Sequence, residues 1–301
     1  MSLVSAGRVS VVVLVVGIVS CGDDHAVETT GPYRVGTRSV TFVDESRPTP
    51  EFGASPAEDT RTVVTDLWYP AEGDPDGEPV ADSPAADGPF PLIVFNHGQQ
   101  GEPQQYAPSF ELWARAGYVV AAPRHPLTVR GGPGAKFAND IEGEVGDVPF
   151  VISSIDEELS DLADVDHLAV AGHSSGAVVA FGNAFNTCCH DDRIDAVLVQ
   201  ALLYVPLDGE YAAELQGTPV MFMHGDADPT PLAESHAIFD EAEPPKYFLT
   251  IQRGDHSNVY RSDPSALLVA EAALAFFDLH LKDRDEALDT LEAVPEVEAV
   301  H

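Results

Sequence analysis

Apolar and polar positions follow two patterns along the chain. From Phe90 onward, short apolar runs such as Pro91–Phe95 alternate with longer stretches of helical character. A run that is apolar throughout is typical of a strand buried on both faces of a parallel sheet. Before that point, 33–43 and 62–69 predict two early strands, and the acidic, Pro- and Gly-rich stretch 71–89 predicts a surface loop. The alternation predicts an α/β fold with a mostly parallel central sheet and helices on both faces.

The remaining predicted elements complete this alternation. Further strands are predicted at 118–122, 168–171, 195–203, 219–223 and 247–251, and helices at 106–116, from about 147 to 162, at 175–186, after Pro231 and at 264–281. A Gly-rich loop is predicted from Pro126 to about Asp147. The acidic stretch after Lys282 predicts a solvated helix or a disordered tail. The predicted globular domain is therefore 33–282, with an acidic tail at 283–301.

Composition narrows the range of partners. The 301 residues include 44% hydrophobic residues, enough for a sizeable core, and 15 Lys and Arg against 50 Asp and Glu, a net charge of −35. Such a surface repels the phosphates of nucleic acids, so we expect no nucleic-acid partner.

The N-terminus carries an export pattern. An apolar run from Val9 to Val19 follows Arg8 and precedes Cys21. A bilayer needs about 20 apolar residues, so the run predicts a signal peptide at 1–20 instead of a membrane span. Residues 18–21, Ile-Val-Ser-Cys, resemble the lipobox of bacterial lipoproteins. The resemblance implies a lipid anchor on Cys21, a polar tether at 21–32 and a place in the cell envelope; plain secretion with an incidental Cys21 is the alternative.

Two further cysteines, Cys188 and Cys189, are adjacent. Neighbouring Cα atoms are about 3.8 Å apart, below the usual disulfide range of about 4.4–6.8 Å. A strained vicinal bridge, an intermolecular bridge and two buried thiols all stay open. A metal site with His190, Asp191 and Asp192 is disfavoured, because side chains so close in sequence seldom point at one ion, and no metal or cofactor is expected.

The sequence Gly172-His-Ser174-Ser-Gly176 lies between a predicted buried strand and a predicted helix. This context is that of a nucleophile elbow, in which a tight turn presents Ser174 at the helix N-terminus. The glycines leave room for the neighbouring strand and helix.

A serine needs a base and an orienting acid to act as a nucleophile. His256, after the last predicted strand, is the expected base. Asp228, after the preceding strand, is the expected acid in preference to Asp226, and Asp255 is interpreted as a loop residue. The order Ser174, Asp228, His256 is that of α/β-hydrolase triads.

Two backbone N–H groups are expected to form the oxyanion hole. One belongs to Ser175, next to the nucleophile, and the other to Gln99, beside Gly98 in the loop after the strand that ends at Phe95. His97 in that loop is interpreted as a packing residue in preference to a catalytic base.

These stretches resemble α/β-hydrolases of the branch that contains dienelactone hydrolases, platelet-activating-factor acetylhydrolases and cutinase-like polyester hydrolases. The resemblance rests on 66–70, 93–98, 116–125, 172–176, 224–229 and 254–257. It implies a metal-independent hydrolase that cleaves a small, lipid-like or lactone ester through an acyl-enzyme on Ser174. An aromatic clamp is not supported, because Gln99 stands where polyester hydrolases tend to carry an aromatic residue. Polyester hydrolysis and a non-catalytic binding role on the same scaffold are the alternatives.

Overall fold

The computed structural model describes residues 31–53, 55–133, 140–211, 217–262, 265–294 and 297–301. The predicted signal peptide, the predicted lipid anchor at Cys21 and most of the predicted tether lie within 1–30, outside these residues. Within them, no helix is long and apolar enough to cross a membrane.

Ten strands form a single sheet in the described part of the chain. They are β1 (Arg34–Asp44), β2 (Arg61–Ala71), β3 (Val80–Ala81), β4 (Phe90–Asn96), β5 (Val119–Arg124), β6 (Ala163–His173), β7 (Ala196–Gln200), β8 (Val220–Gly225), β9 (Lys246–Ile251) and β10 (Val297–Val300). Their order across the sheet is β10-β9-β8-β7-β6-β4-β5-β2-β1-β3. Strands β5, β4, β6, β7, β8 and β9 run parallel to their neighbours within this group. The pairs β5–β2, β2–β1 and β9–β10 are antiparallel, and the short β3 is parallel to β1. The predicted mostly parallel sheet is confirmed.

Six helices of the described chain cover the sheet. They are α1 (Ala107–Arg115), α2 (Ile141–Leu159), α3 (Ser175–Phe185), α4 (Leu232–Glu241), α5 (Ser265–Leu281) and α6 (Glu286–Glu292). Two buried apolar clusters lie on opposite faces of the sheet, one joined by α1 and α5 and the other by α2 and α3. Successive residues of the central strands enter different clusters, as with Leu92 and Ile93 of β4. Because parallel strands end at a common edge, residues that follow β4, β6, β8 and β9 meet there.

Several boundaries differ from the sequence prediction, among them the start of β6 at Ala163, five residues before the predicted start. Helix α2 begins at Ile141, about six residues earlier than predicted, because Ile141, Val145 and Val148 recur at helical spacing and are all buried. Strand β7 ends at Gln200, three residues earlier than predicted, because Ala201 has a φ of +52° and turns the chain away.

After Lys282 the sequence left a solvated helix or a disordered tail open, and the structure shows a helix that is packed instead of solvated. Helix α6 packs against α5 through Ala287 and Leu291, the latter fully buried. The chain then returns as β10, which pairs antiparallel with β9 and covers that edge of the sheet. The acidic side chains of α6 lie on its exposed face. Because the stretch is rich in acids, its apolar face was not recognised in the sequence.

Cys188 and Cys189 are joined to each other in a vicinal disulfide. Both ring nitrogens of His190 have partners: Nδ1 lies 2.8 Å from the Ala184 carbonyl oxygen and Nε2 lies 2.9 Å from Asp192 Oδ1. Among the described residues, no group of three or more His, Cys, Asp or Glu side chains could hold a metal ion.

Candidate active site

The turn between β6 and α3 has the geometry of a nucleophile elbow. Ser174 has φ +56° and ψ −120°, a strained conformation for a residue with a side chain. A Cβ on Gly172 would lie 2.1 Å from the Gly176 carbonyl oxygen, and one on Gly176 would lie 2.1 Å from the Asn96 carbonyl oxygen. Neither position can therefore carry a side chain without moving the backbone. The turn lifts Ser174 from the edge of the sheet while its N–H bonds to the Gln200 carbonyl at 2.9 Å.

Three side chains far apart in sequence are joined by hydrogen bonds at this edge. His256 Nε2 lies 3.0 Å from Ser174 Oγ, and His256 Nδ1 lies 2.8 Å from Asp228 Oδ2. The Asp228 carboxylate is inaccessible to solvent, whereas the His256 side chain is 28% exposed. In this arrangement Nδ1 donates to the carboxylate, which leaves Nε2 as the acceptor for the serine proton.

The position of Asp228 is set by its own turn. Asp228 Oδ1 accepts from the N–H of Thr230 at 2.7 Å and from its hydroxyl at 2.6 Å, so that Oδ2 is left to face His256. Asp226 instead accepts from the backbone N–H of Arg253 and is exposed. Asp255 accepts from the N–H groups of Ser257 and Asn258, which is a loop-shaping role.

Both residues expected to supply oxyanion donors line one cavity with the nucleophile. Gln99, Ser174 and Ser175 share a cavity of about 200 Å³ whose lining also includes Thr128 and Glu144. Ser175 is the first residue of α3, so no residue within the helix accepts from its N–H. The carbonyl oxygen of an ester bound against Ser174 would meet a helix N-terminus, where negative charge is stabilised.

His97 lies in the loop after β4, and its hydrogen bond is to the backbone of that same loop. Its Nδ1 donates to the Gly98 carbonyl at 2.9 Å, and its ring packs edge-on against His125 with centroids 5.2 Å apart. Burial, with the charge of His125, lowers the pKa of His97 to about 3. A neutral, buried imidazole braces the loop, in line with its interpretation as a packing residue.

A buried relay behind His256 was missed by the sequence interpretation. His173 Nε2 donates to the His256 carbonyl at 2.6 Å, and His173 Nδ1 accepts from the Tyr106 hydroxyl at 2.8 Å. That hydroxyl in turn accepts from Arg261 Nη2 at 2.8 Å. Burial lowers the pKa of His173 well below its ordinary value, with Arg261 and His256 adding to the effect, so the ring stays neutral. These hydrogen bonds connect the backbone of His256 to His173, the residue before Ser174. In the sequence, the only signal for this role was the position of His173 within the elbow motif.

The sequence interpretation also missed a buried polar network next to the end of β4, which precedes the loop that carries Gln99. Asp147 of α2 accepts from Arg61 Nη2 at 2.8 Å and from His125 Nδ1 at 3.0 Å. His125 Nε2 lies 3.1 Å from Asn96 Oδ1, while Asn96 Nδ2 donates to the Ala171 carbonyl. Both ring nitrogens of His125 thus face acceptors, which requires the doubly protonated ring. Burial lowers the pKa of His125, but Glu144 and Asp147 outweigh it and raise the pKa overall.

Comparison with known proteins identifies a family of similar sequences. A model of the chlorophyllase family matches residues 73–224. Two chlorophyllases, chlorophyllase-1 of Citrus sinensis and of Citrus unshiu, are each 25% identical over 124 residues, which is 40% of this chain and 37% of each relative. The match thus spans little more than a third of the curated relatives' length.

A solved structure extends the likeness to nearly the whole fold. The ferulic acid esterase of Streptomyces cinnamoneus superposes with a TM-score of 0.73 at 21% sequence identity, over 91% of this chain and 98% of that one. At this identity the likeness establishes the fold, which is that of the α/β-hydrolases predicted from the motifs.

Proposed function

The chain belongs to the chlorophyllase family, and on that basis we propose that it is a serine hydrolase that cleaves carboxylic esters. The observation that supports this most directly is the continuous chain of hydrogen bonds from Asp228 through His256 to Ser174. A non-catalytic binding protein would have no need to keep a strained serine in contact with a base and a buried acid.

The proposed reaction is acyl transfer through a covalent intermediate. Ser174 Oγ attacks the ester carbonyl carbon while His256 Nε2 takes the hydroxyl proton. The oxyanion is held by the N–H groups of Ser175 and Gln99. His256 then gives its proton to the departing alkoxide, and a water molecule activated by the same imidazole releases the acid. Asp228 holds the imidazole in the required tautomer and stabilises its charged form.

The cavity beside Ser174 supports a substrate with a compact reacting part. Its volume of about 200 Å³ is below the range of about 300–1,000 Å³ typical of sites that enclose a drug-sized ligand. None of the described residues that line it is aromatic, so nothing in that lining resembles a clamp for an aromatic ring. We propose a small or medium acyl ester, and an assay panel should include chlorophyll and a ferulate ester because the similar proteins bear those names.

The test of the catalytic proposal is the loss of activity on removal of the nucleophile. Wild-type protein should hydrolyse p-nitrophenyl butyrate and react with a fluorophosphonate probe, with the label on the peptide that contains Ser174. Ser174→Ala should reduce kcat by about 10⁴-fold or more and abolish labelling. Ser153→Ala, at an exposed serine of α2, is the matched control. Full esterase activity in Ser174→Ala would overturn the proposal.

We further propose that the protein is exported and anchored through Cys21, on the basis of the lipobox-like sequence at 18–21. Metabolic labelling with radioactive palmitate in a bacterial host should mark the wild type but not Cys21→Ser. Release of an unlabelled wild-type protein into the medium would favour plain secretion instead.

A further inference from the structure

One wall of the Ser174 cavity is formed by a buried acid that the proposed mechanism does not use. Glu144, in the first turns of α2, lines the cavity together with Thr128 and the nucleophile, yet it is only 1% exposed. Glutamate is almost never fully buried unless it is paired. Its presence beside a candidate nucleophile therefore needs an explanation.

Only half of this carboxyl group is satisfied. Glu144 Oε1 accepts from the Thr128 hydroxyl at 2.5 Å, whereas Oε2 has no hydrogen-bond partner among the described residues. A buried polar atom without a partner costs about 1–3 kcal/mol, so its presence beside a nucleophile calls for an explanation.

The neighbouring charged groups form hydrogen bonds with other residues and not with Glu144 Oε2. Arg61 donates to Asp147 at 2.8 Å and to Asp140 at 2.7 Å, and His125 donates to Asp147 and to the Asn96 side chain. The network ties α2 to Arg61 of β2 and to His125 after β5, and Glu144 of the same helix lines the cavity.

The buried surroundings of Glu144 favour its protonated form over its carboxylate form. Burial raises the pKa of Glu144, although His125 and the Thr128 hydroxyl oppose the shift. The carboxyl thus keeps its proton to a higher pH than an exposed glutamate does. A hydroxyl suits either protonation state, because it donates to a carboxylate oxygen and accepts from a protonated one.

We propose that Glu144 binds a hydroxyl group of the substrate close to the reacting ester, so that the preferred substrates are hydroxylated esters. The inference rests on the proposed ester hydrolysis and adds the substrate class to it. The hydroxyl can belong to the acyl part, as in a hydroxy-acid ester, or to the alcohol part, as in a monoester of a polyol. Glu144 acts here as a specificity determinant that touches the substrate but not the reacting atoms.

The test compares matched esters with and without the hydroxyl. For the acyl part, kcat/KM is measured for p-nitrophenyl 3-hydroxybutyrate and p-nitrophenyl butyrate; for the alcohol part, for glycerol monobutyrate and propyl butyrate. We expect the wild type to prefer the hydroxylated member of one pair by at least about tenfold, since an unmet buried acceptor penalises the analogue that lacks the donor. The pair that shows the preference identifies which part of the substrate contacts Glu144.

Three variants connect the preference to this side chain. Glu144→Met should bring the ratio in the preferred pair close to one, whereas Glu144→Gln, whose amide still pairs with a hydroxyl, should keep a preference. Glu142→Gln, at the exposed glutamate of the same turn, should keep the wild-type ratio. A ratio in Glu144→Met equal to that of the wild type would overturn the assignment.

The wild-type measurement alone also decides the matter if the Met variant does not fold. Equal kcat/KM within both pairs would overturn the hydroxyl inference while leaving ester hydrolysis intact. Absence of hydrolysis of all four esters, together with absence of fluorophosphonate labelling, would instead overturn the proposed function itself.

Discussion

Replacing Asp228 by asparagine isolates the orienting role of the acid with little change in shape. The oxygen of the introduced amide can still accept from the N–H and hydroxyl of Thr230, as Asp228 Oδ1 does at 2.7 and 2.6 Å. The amide nitrogen then takes the place of Oδ2, 2.8 Å from His256 Nδ1. An amide donates where the carboxylate accepted, so His256 must carry its proton on Nε2. In that tautomer Nε2 donates to Ser174 Oγ and cannot accept its proton.

The expected loss follows from this exchange of donor and acceptor. The variant lacks the functional tautomer and a buried negative charge next to the imidazolium that forms during the reaction. In a serine protease the corresponding change lowers kcat by about 10⁴-fold, which is about 5.5 kcal/mol at about 1.36 kcal/mol per decade. Because the Asp228 side chain is fully buried and its contacts to Thr230 persist, we expect a similar factor here, with KM changed little.

The measurement is kcat for p-nitrophenyl butyrate between pH 6 and 9, with circular dichroism and thermal unfolding as checks of folding. Asp226→Asn is the matched control, since this exposed carboxylate accepts from the backbone N–H of Arg253 in the loop after β9, whereas the carboxylate that pairs with His256 is Asp228. A folded Asp228→Asn protein with more than a tenth of wild-type kcat would refute the role derived from the hydrogen bonds.

Three further changes test other parts of the structure. Tyr106→Phe removes the hydroxyl that donates to His173, so we expect kcat to fall about 5- to 100-fold with KM nearly constant, and wild-type kcat would contradict the relay. Leu291→Ala should lower the free energy of unfolding by about 2–5 kcal/mol in denaturant titrations, because it removes a buried side chain of α6. Leu268→Ala, at an exposed position of α5, should lower it far less. Equal small losses in the two variants would show that α6 is solvated and not packed. Burial raises the pKa of Asp147, but hydrogen bonds from a histidine and an arginine outweigh it and lower the pKa overall. Its stabilisation is therefore complete above the unfolded pKa of about 4 and is lost as the pH falls through the folded value, so stability should drop more steeply below pH 4 in the wild type than in Asp147→Asn.

The sequence alone was sufficient for the fold class and for the residues that meet at the edge of the sheet. Continuous apolar runs mark strands that are buried on both faces, and the elbow is a local conformation whose requirements are written in Gly172, Ser174 and Gly176. Because parallel strands end at one edge, the positions of Asp228 and His256 after two later strands predicted that they would lie close together, as the hydrogen bonds now show. These inferences depend on periodicity and chain order, which a sequence displays directly.

Only the tertiary structure decided the contacts between buried polar groups. Arg61 and Asp147 are 86 residues apart and Tyr106 and His173 are 67 apart, and no local pattern pairs them. The start of α2 and the packing of α6 likewise depend on residues elsewhere in the chain. The glycines at the start of α2 suggested a loop and the acidic residues of α6 suggested a solvated segment, but burial of their apolar residues outweighed both. Whether a charged side chain is solvated or buried is a property of its surroundings in space. For that reason Glu144 was one acid among fifty in the sequence and became a candidate specificity determinant only in the folded chain.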